Sequence, residues 1–155
     1  MRSYKNLSFS VNEHIGLLTL DRPEVMNALN REITLELHEL LDELPGNFPE
    51  IRVLVITGNG KAFCSGADLS RMGASGSENR RSRGKTNQGL RRIQELASAI
   101  RNIPQPVIAA INGAAVGAGF DLACMCDLRI MSQDAFVAES FINLGIIPGL
   151  SLIHI

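Results

Sequence analysis

The sequence predicts an α/β domain with largely parallel strand pairing, and three observations carry that reading. Strand-like and helix-like segments alternate along the chain. Val53-Leu54-Val55-Ile56-Thr57 is an unbroken, mostly β-branched run, the pattern of a strand covered on both faces. Ile33, Leu37, Leu40, Leu41 and Leu44 recur at the 3.6-residue spacing of an amphipathic helix. Strands separated by helical crossovers pair in parallel. With 155 residues, 45% hydrophobic and 20% charged, the chain has enough apolar material for one domain with a real core. It carries no internal repeat and no linker-like stretch, so no second domain is expected.

The elements follow in order. Residues 7–11 and 15–20 form an expected hairpin turning at Asn12-Glu13-His14, with Leu18 and Leu20 on one face, and Asp21-Arg22-Pro23 ends it. Asn30 caps the amphipathic helix and Pro45-Gly46 stops it. After the strand at 53–57, Gly58-Asn59-Gly60 turns the chain into Lys61-Ala62-Phe63-Cys64-Ser65-Gly66-Ala67-Asp68-Leu69. Residues 72–87 lose all periodicity to Gly, Ser, Asn and Arg and read as a mobile loop or a weak helix. Residues 86–102 read as a helix with Leu90, Ile93, Leu96, Ala97 and Ile100 facing inward, ended by Pro104 and Pro106. Beyond Asp127, residues 128–131 and 135–138 read as two short strands.

Composition removes several classes of function. A net charge of −1 gives no electrostatic basis for nucleic acid as the main partner. Cys64, Cys124 and Cys126 are odd in number and form no C-x-x-C pair, so they suggest neither a disulfide framework nor a zinc knuckle and read as small core residues. The histidines at 14, 38 and 154 lack metal-ligand spacing, and no metal is expected. Met1-Arg2-Ser3-Tyr4 leads into strand-like alternation without a signal-peptide core, and no apolar stretch approaches a membrane span. The expectation is a soluble, cytoplasmic protein.

Residues 104–127 are the most informative stretch. The apolar run Val107 to Ile111 breaks at Asn112-Gly113, passes Gly117-Ala118-Gly119 and restarts as Phe120-Asp121-Leu122-Ala123. This is a buried strand feeding a small-residue loop that opens into a helix. Small residues permit close approach to the backbone, and the first amides of a helix have no partner within it, so they can bind developing negative charge. Asp121 stands three residues beyond Ala118 and shares a helix face with those amides. Flanked by Phe120 and Leu122, its carboxyl is open to a desolvation-raised pKa, which suits acid–base work near neutral pH. The plainer alternatives are a tight strand-to-helix turn and a first-turn acid complementing the helix dipole.

Two loops and one earlier segment together resemble the enoyl-CoA hydratase/isomerase (crotonase) superfamily. Phe63-Cys64-Ser65-Gly66-Ala67-Asp68-Leu69 and Ile111-Asn112-Gly113-Ala114-Ala115-Val116-Gly117-Ala118-Gly119 are similar to its two oxyanion-hole segments, and Arg22-Pro23-Glu24-Val25-Met26-Asn27-Ala28-Leu29 to its early coenzyme A-contacting stretch. The resemblance runs from about residue 10 to Gly149. It implies a ββα spiral core and an enzyme of acyl-CoA and lipid metabolism, with coenzyme A present only as part of the thioester substrate. The implied catalytic groups are the amides of Ala67 and Ala118, with Asp121 moving protons. The implied substrate contacts are Ala28, Ala67, Asp68, Leu69, Ser70, Arg71, Gly117 and Ala118, with residues 67–69 towards the adenine end and Ser70 and Arg71 near the phosphates. Asp68 also reads as a brace for its own loop. Seven of the fifteen Lys and Arg residues fall between Arg71 and Arg92, either steering phosphates or forming a solvated basic loop that includes Arg80, Arg81, Arg83 and Lys85.

The chain departs from the family pattern at the second acid. Hydratases of the family pair two glutamates. Counted back from Gly145, the second position falls on Phe141, which cannot transfer a proton, and Leu150 stands where some relatives carry aspartate. Glu139 lies two residues off. Proton shuttling by Asp121 alone, as in a double-bond isomerase, therefore fits better than two-carboxylate hydration. Hydrolysis or decarboxylation of a thioester or β-diketone, and a non-catalytic acyl-CoA-binding or assembly subunit, remain alternatives. A dinucleotide fingerprint fails at Leu122, a serine-hydrolase elbow fails at Phe63 and Ala67, and no Walker A sequence is present.

The expected division is a core portion at 1–149 and an atypical tail at 150–155. After Gly149 the family pattern continues into helices that close the acyl pocket and build a homotrimer or dimer of trimers, whereas Leu150-Ser151-Leu152-Ile153-His154-Ile155 resembles a truncated or mis-joined frame. The C-terminal helical part is thus expected to be missing, leaving apolar surface exposed and the fragment unstable or aggregated alone.

Overall fold

The computed structural model describes residues 3–68, 70 and 95–141. The basic segment, most of the expected helix at 86–102 and the tail at 150–155 lie outside the described residues.

Strands β1 (Leu7–Asn12) and β2 (Ile15–Leu20) form the antiparallel hairpin, with Leu7 opposite Leu20. Asn12 belongs to β1 rather than to the turn. The two-residue turn is Glu13-His14, both at positive φ (47° and 68°), as the right-handed twist of a tight hairpin requires. Helix α1 (Arg31–Glu43) starts where expected: the Asn30 side-chain oxygen accepts the Ile33 amide at 3.0 Å. Its buried residues include Ile33, Leu37, Leu40 and Leu41. A 3-10 turn at Leu44–Asn47 follows, because Pro45 has no N–H with which to extend the α-helical ladder.

The remaining strands make two sheets. The larger has the order β1-β2-β3-β5-β7, where β3 is Val53–Gly58, β5 Val107–Ile111 and β7 Leu128–Met131. The smaller has the order β4-β6-β8, where β4 is Ala62–Cys64, β6 Ala114–Val116 and β8 Val137–Ala138. Among the described residues, every strand pairing except the β1–β2 hairpin is parallel. Each successive pair (β3 then β4, β5 then β6, β7 then β8) steps from the large sheet to the small one. Helix α2, described at 95–102, precedes β5, and α3 (Ala118–Met125) precedes β7. The repeating unit is ββα, wound as a spiral, and the fold is the one expected.

Asn112 locks two of the sheet-to-sheet steps together. Its side-chain oxygen accepts the Gly58 amide at 3.1 Å, and its amide nitrogen donates to the Gly60 carbonyl at 3.0 Å. The core lies between the large sheet and the helices, with Leu18, Leu20, Ile33, Leu37, Leu54, Ile56, Leu96 and Leu122 all buried. Each such side chain contributes roughly 1.5–3 kcal/mol through burial.

Two expectations need adjustment. Strand β3 alternates between buried and half-buried residues rather than being covered equally on both faces, because Val53, Val55 and Thr57 face away from the helix side. Strand β8 is two residues long, not four: Ala135 is drawn into a turn by its amide bond to the Ser132 carbonyl at 3.1 Å. Leu128, Ile130, Met131, Phe136 and Val137 are large apolar residues exposed along β7 and the approach to β8.

Candidate active site

The site forms where β4 and β6 end. Pairing of Ala62 with Ala114 and of Cys64 with Ala115 brings the two strand ends side by side, and both continue as small-residue loops. These loops touch. Gly66, at φ 99°, lies so near the second loop that a methyl group on it would stand 2.7 Å from the Val116 carbonyl oxygen and 3.5 Å from the Ala118 amide nitrogen. Gly119 meets the Cys64 carbonyl so closely that no side chain fits.

Leu29 holds the first loop from behind. Its N–H donates to the Gly66 carbonyl at 2.7 Å, and its carbonyl accepts the Asp68 amide at 3.0 Å. This parallel bridge uses both neighbours of Ala67, so the N–H of Ala67 itself stays out of it and points to the opposite side. Ala67 is exposed, whereas Ala118 is buried. Ala118 opens α3, and an amide of that first turn has no carbonyl one turn earlier to reach.

Asp121 completes the first turn of α3, its amide donating to the Gly117 carbonyl at 2.9 Å. It is 1% exposed, and neither carboxylate oxygen has a hydrogen-bond partner among the described residues. Burial pushes its carboxyl up to about 7, with a smaller push from the negative charge of Glu139. Glu139 is exposed, and desolvation raises its own carboxyl. The Phe141 ring lies against Gly117, 3.6 Å from where a methyl group on that glycine would stand.

Asp68 acts as the brace. Its carboxylate accepts the Ser70 amide at 3.1 Å and the Ser70 hydroxyl at 2.6 Å, and both Arg22 Nη atoms lie 3.4 Å from its other oxygen. The Ser70 bonds and the Arg22 guanidinium hold this carboxyl below its usual range. Arg22 also donates to the Ala28 carbonyl, so one guanidinium joins the early segment to the first loop. No local pattern in the sequence signals this role of Arg22, because its partner lies 46 residues away. The same holds for Asn27, whose carbonyl partners lie 32 and 35 residues away. It is fully buried at φ 57°, and its amide donates to the carbonyls of Asn59 at 2.9 Å and Ala62 at 2.8 Å. The structure brings Ala28, Ala67, Asp68, Ser70, Gly117, Ala118 and Asp121 onto two adjoining loops and the segment behind them. Leu69 and Arg71 lie outside the described residues. Burial raises the thiols of Cys64 and Cys126 to about 12, consistent with inert core residues.

A model of the family described as enoyl-CoA hydratase/isomerase matches residues 10–155. The chain belongs to the enoyl-CoA hydratase/isomerase family. Among similar members, a protein of Rhodobacter capsulatus named "Probable enoyl-CoA hydratase" is 42% identical over 147 residues, covering 94% of this chain and 53% of its own. The peroxisomal Delta(3,5)-Delta(2,4)-dienoyl-CoA isomerase of Arabidopsis thaliana is 35% identical, covering 99% of this chain and 58% of its own. The crystal structure of an enoyl-CoA hydratase from Bacillus anthracis superposes with a TM-score of 0.85 at 33% identity, over 94% of this chain and 55% of that one. The chain thus spans about half the length of the family members it matches. Among the described residues, no group of three His, Cys, Asp or Glu side chains could hold a metal, and no helix is long and apolar enough to cross a membrane.

Proposed function

We propose that this protein binds an acyl-CoA thioester and moves a proton on its acyl chain, in the manner of an enoyl-CoA isomerase. The observation that carries this reading is the carboxyl of Asp121, buried without a hydrogen-bond partner among the described residues, one helical turn from the Ala118 amide. The ionised Asp121 takes a proton from the carbon next to the thioester carbonyl. Negative charge moves onto the carbonyl oxygen, which the amides of Ala67 and Ala118 receive as two hydrogen-bond donors. Asp121 then returns the proton to the far end of the conjugated system, and the double bond has shifted. A carboxyl titrating at about 7 is present in both forms near neutral pH, as a group that takes and gives back one proton requires. Removing one oxyanion donor typically costs on the order of 10²–10³ in rate.

Substrate contacts belong to the same reading. The backbone of residues 67–69 would face the adenine end and Ser70 and Arg71 the phosphates, with Ala28 and Gly117 lining the path. Asp68 contributes by holding the loop, since its amide and carboxylate are both engaged within the protein. A homotrimer or dimer of trimers is the assembly this reading carries. Phe141 at the second acid position speaks against hydration through two carboxylates. The test is turnover of 3-enoyl-CoA against trans-2-enoyl-CoA. Double-bond migration of the first without hydration of the second is expected. Hydration as the faster reaction overturns the isomerase assignment, and binding without any turnover favours a non-catalytic acyl-CoA binder.

A further inference from the structure

Asp121 and Glu139 are tied to the same glycine. The Gly117 carbonyl accepts the Asp121 amide at 2.9 Å, and the Gly117 amide donates to the Ala138 carbonyl at 2.8 Å. Parallel pairing of Val116 with Ala138 fixes that register. Glu139, the next residue, therefore leaves the small sheet beside the first turn of α3, which Asp121 completes. One carboxyl is buried without a hydrogen-bond partner among the described residues, and the other is open to water. Among the described residues, two further titratable or charged groups stand near this pair. Cys124 sits one turn further along α3 with its thiol raised mainly by desolvation. Arg129 is tied to the far end of the helix by bonds to the carbonyls of Ala123, Cys124 and Cys126.

We propose that Glu139 is the proton partner of Asp121, passing protons between that buried carboxyl and the surrounding water. This rests on the reading of Asp121 as the acid–base group of the site. While the enolate is bound, protonated Asp121 passes its proton through an intervening water to the Glu139 carboxylate, so that the proton later returned to the substrate comes from solvent. Protonated Glu139 then gives that proton to water, and the reverse sequence reloads Asp121. Only O–H bonds form and break, and no co-reactant beyond water is needed. Glu139 does not touch the acyl group; it is a positioning residue that acts through Asp121. It is also not the second acid of the hydratase pattern, whose place Phe141 occupies. A carboxylate beside a buried carboxyl tightens the hold on its proton, in the same direction as burial.

The test is an infrared titration of the full chain, following the carboxyl band of Asp121 as identified by its loss in Asp121→Asn. In Glu139→Gln the midpoint should shift down from about 7 yet stay above the ordinary carboxylate range, because burial is the larger cause and persists. Glu139→Asp should restore it. An unchanged midpoint in Glu139→Gln overturns the proposal. A second readout is the solvent deuterium carried by the product per turnover of 3-enoyl-CoA in deuterated water. That ratio is insensitive to the fraction of folded protein. It should fall in Glu139→Gln and recover in Glu139→Asp, and an equal ratio in all three overturns the relay. A chain that shows the midpoint shift but no isomerisation refutes the function assigned to Asp121 and leaves its coupling to Glu139 standing.

Discussion

Gly66 lies against the backbone of Ala118, with 3.5 Å between the Ala118 amide nitrogen and the place a methyl group on Gly66 would occupy. Two loops about fifty residues apart in sequence thereby present adjoining backbones, one behind Ala67 and the other at the start of α3. The contact depends on glycine twice over. The φ of 99° is strained for any other residue, and a methyl group would press to 2.7 Å from the Val116 carbonyl oxygen.

Gly66→Ala should therefore separate the loops. The expected cost is about 1–3 kcal/mol of stability from strain and overpacking. The expected loss in kcat is on the order of 10², as for removal of one oxyanion donor. Thermal melting followed by circular dichroism and turnover of 3-enoyl-CoA measure the two effects separately. A variant that melts lower but keeps the wild-type kcat would show that the juxtaposition is structural only.

Asp121 imposes a pH dependence on stability whose sign follows from its raised pKa. The folded state holds this proton more tightly than the unfolded chain, so the group favours folding least at high pH. Stability is full below about 3.8, falls as pH rises towards about 7 and is level above that. Above about pH 7 the folded state carries the penalty of an ionised, desolvated carboxylate. Asp121→Asn removes it, since a carboxamide does not ionise. Urea unfolding should find the variant more stable than wild type at pH 8, with the gap closing towards pH 4. Equal stability at pH 8 would contradict a buried, unpaired carboxylate.

The Arg22–Asp68 pair links the early segment to the first loop, with side chains 13% and 17% exposed. A partly buried pair of this kind should couple by about 1 kcal/mol in a double-mutant cycle of Arg22→Met and Asp68→Asn. If the loop it braces contacts the nucleotide as proposed, Asp68→Asn should raise KM for acyl-CoA more than it lowers kcat. Additive single-variant effects in denaturant unfolding would show the two residues acting independently.

Local signals were legible in the sequence where one element decides its own shape. Asn30 and the periodic leucines of α1 predict that helix because cap and apolar face are written within it. The two small-residue loops were readable for the same reason, and family resemblance paired them. What escaped was set by long-range pairing. The half-covered face of β3 depends on which elements lie across the sheet. The reach of Arg22 to Asp68 and of Asn27 to Ala62 depends on how the spiral winds. The nearness of Glu139 to Asp121 depends on the register of β8 with β6, which two residues of strand could not announce.

The central claim is that this site stabilises a thioester enolate and that Asp121 moves the proton. The most direct measurement is deuterium entry at the carbon next to the carbonyl of a saturated acyl-CoA, incubated with the chain in deuterated water. A saturated chain offers no double bond to shift, so exchange reports enolate formation alone. The account predicts exchange by wild type and a loss of about 10²–10⁴-fold in Asp121→Asn. Exchange that persists undiminished in Asp121→Asn, or no exchange in a wild-type protein that binds the ligand, would contradict it.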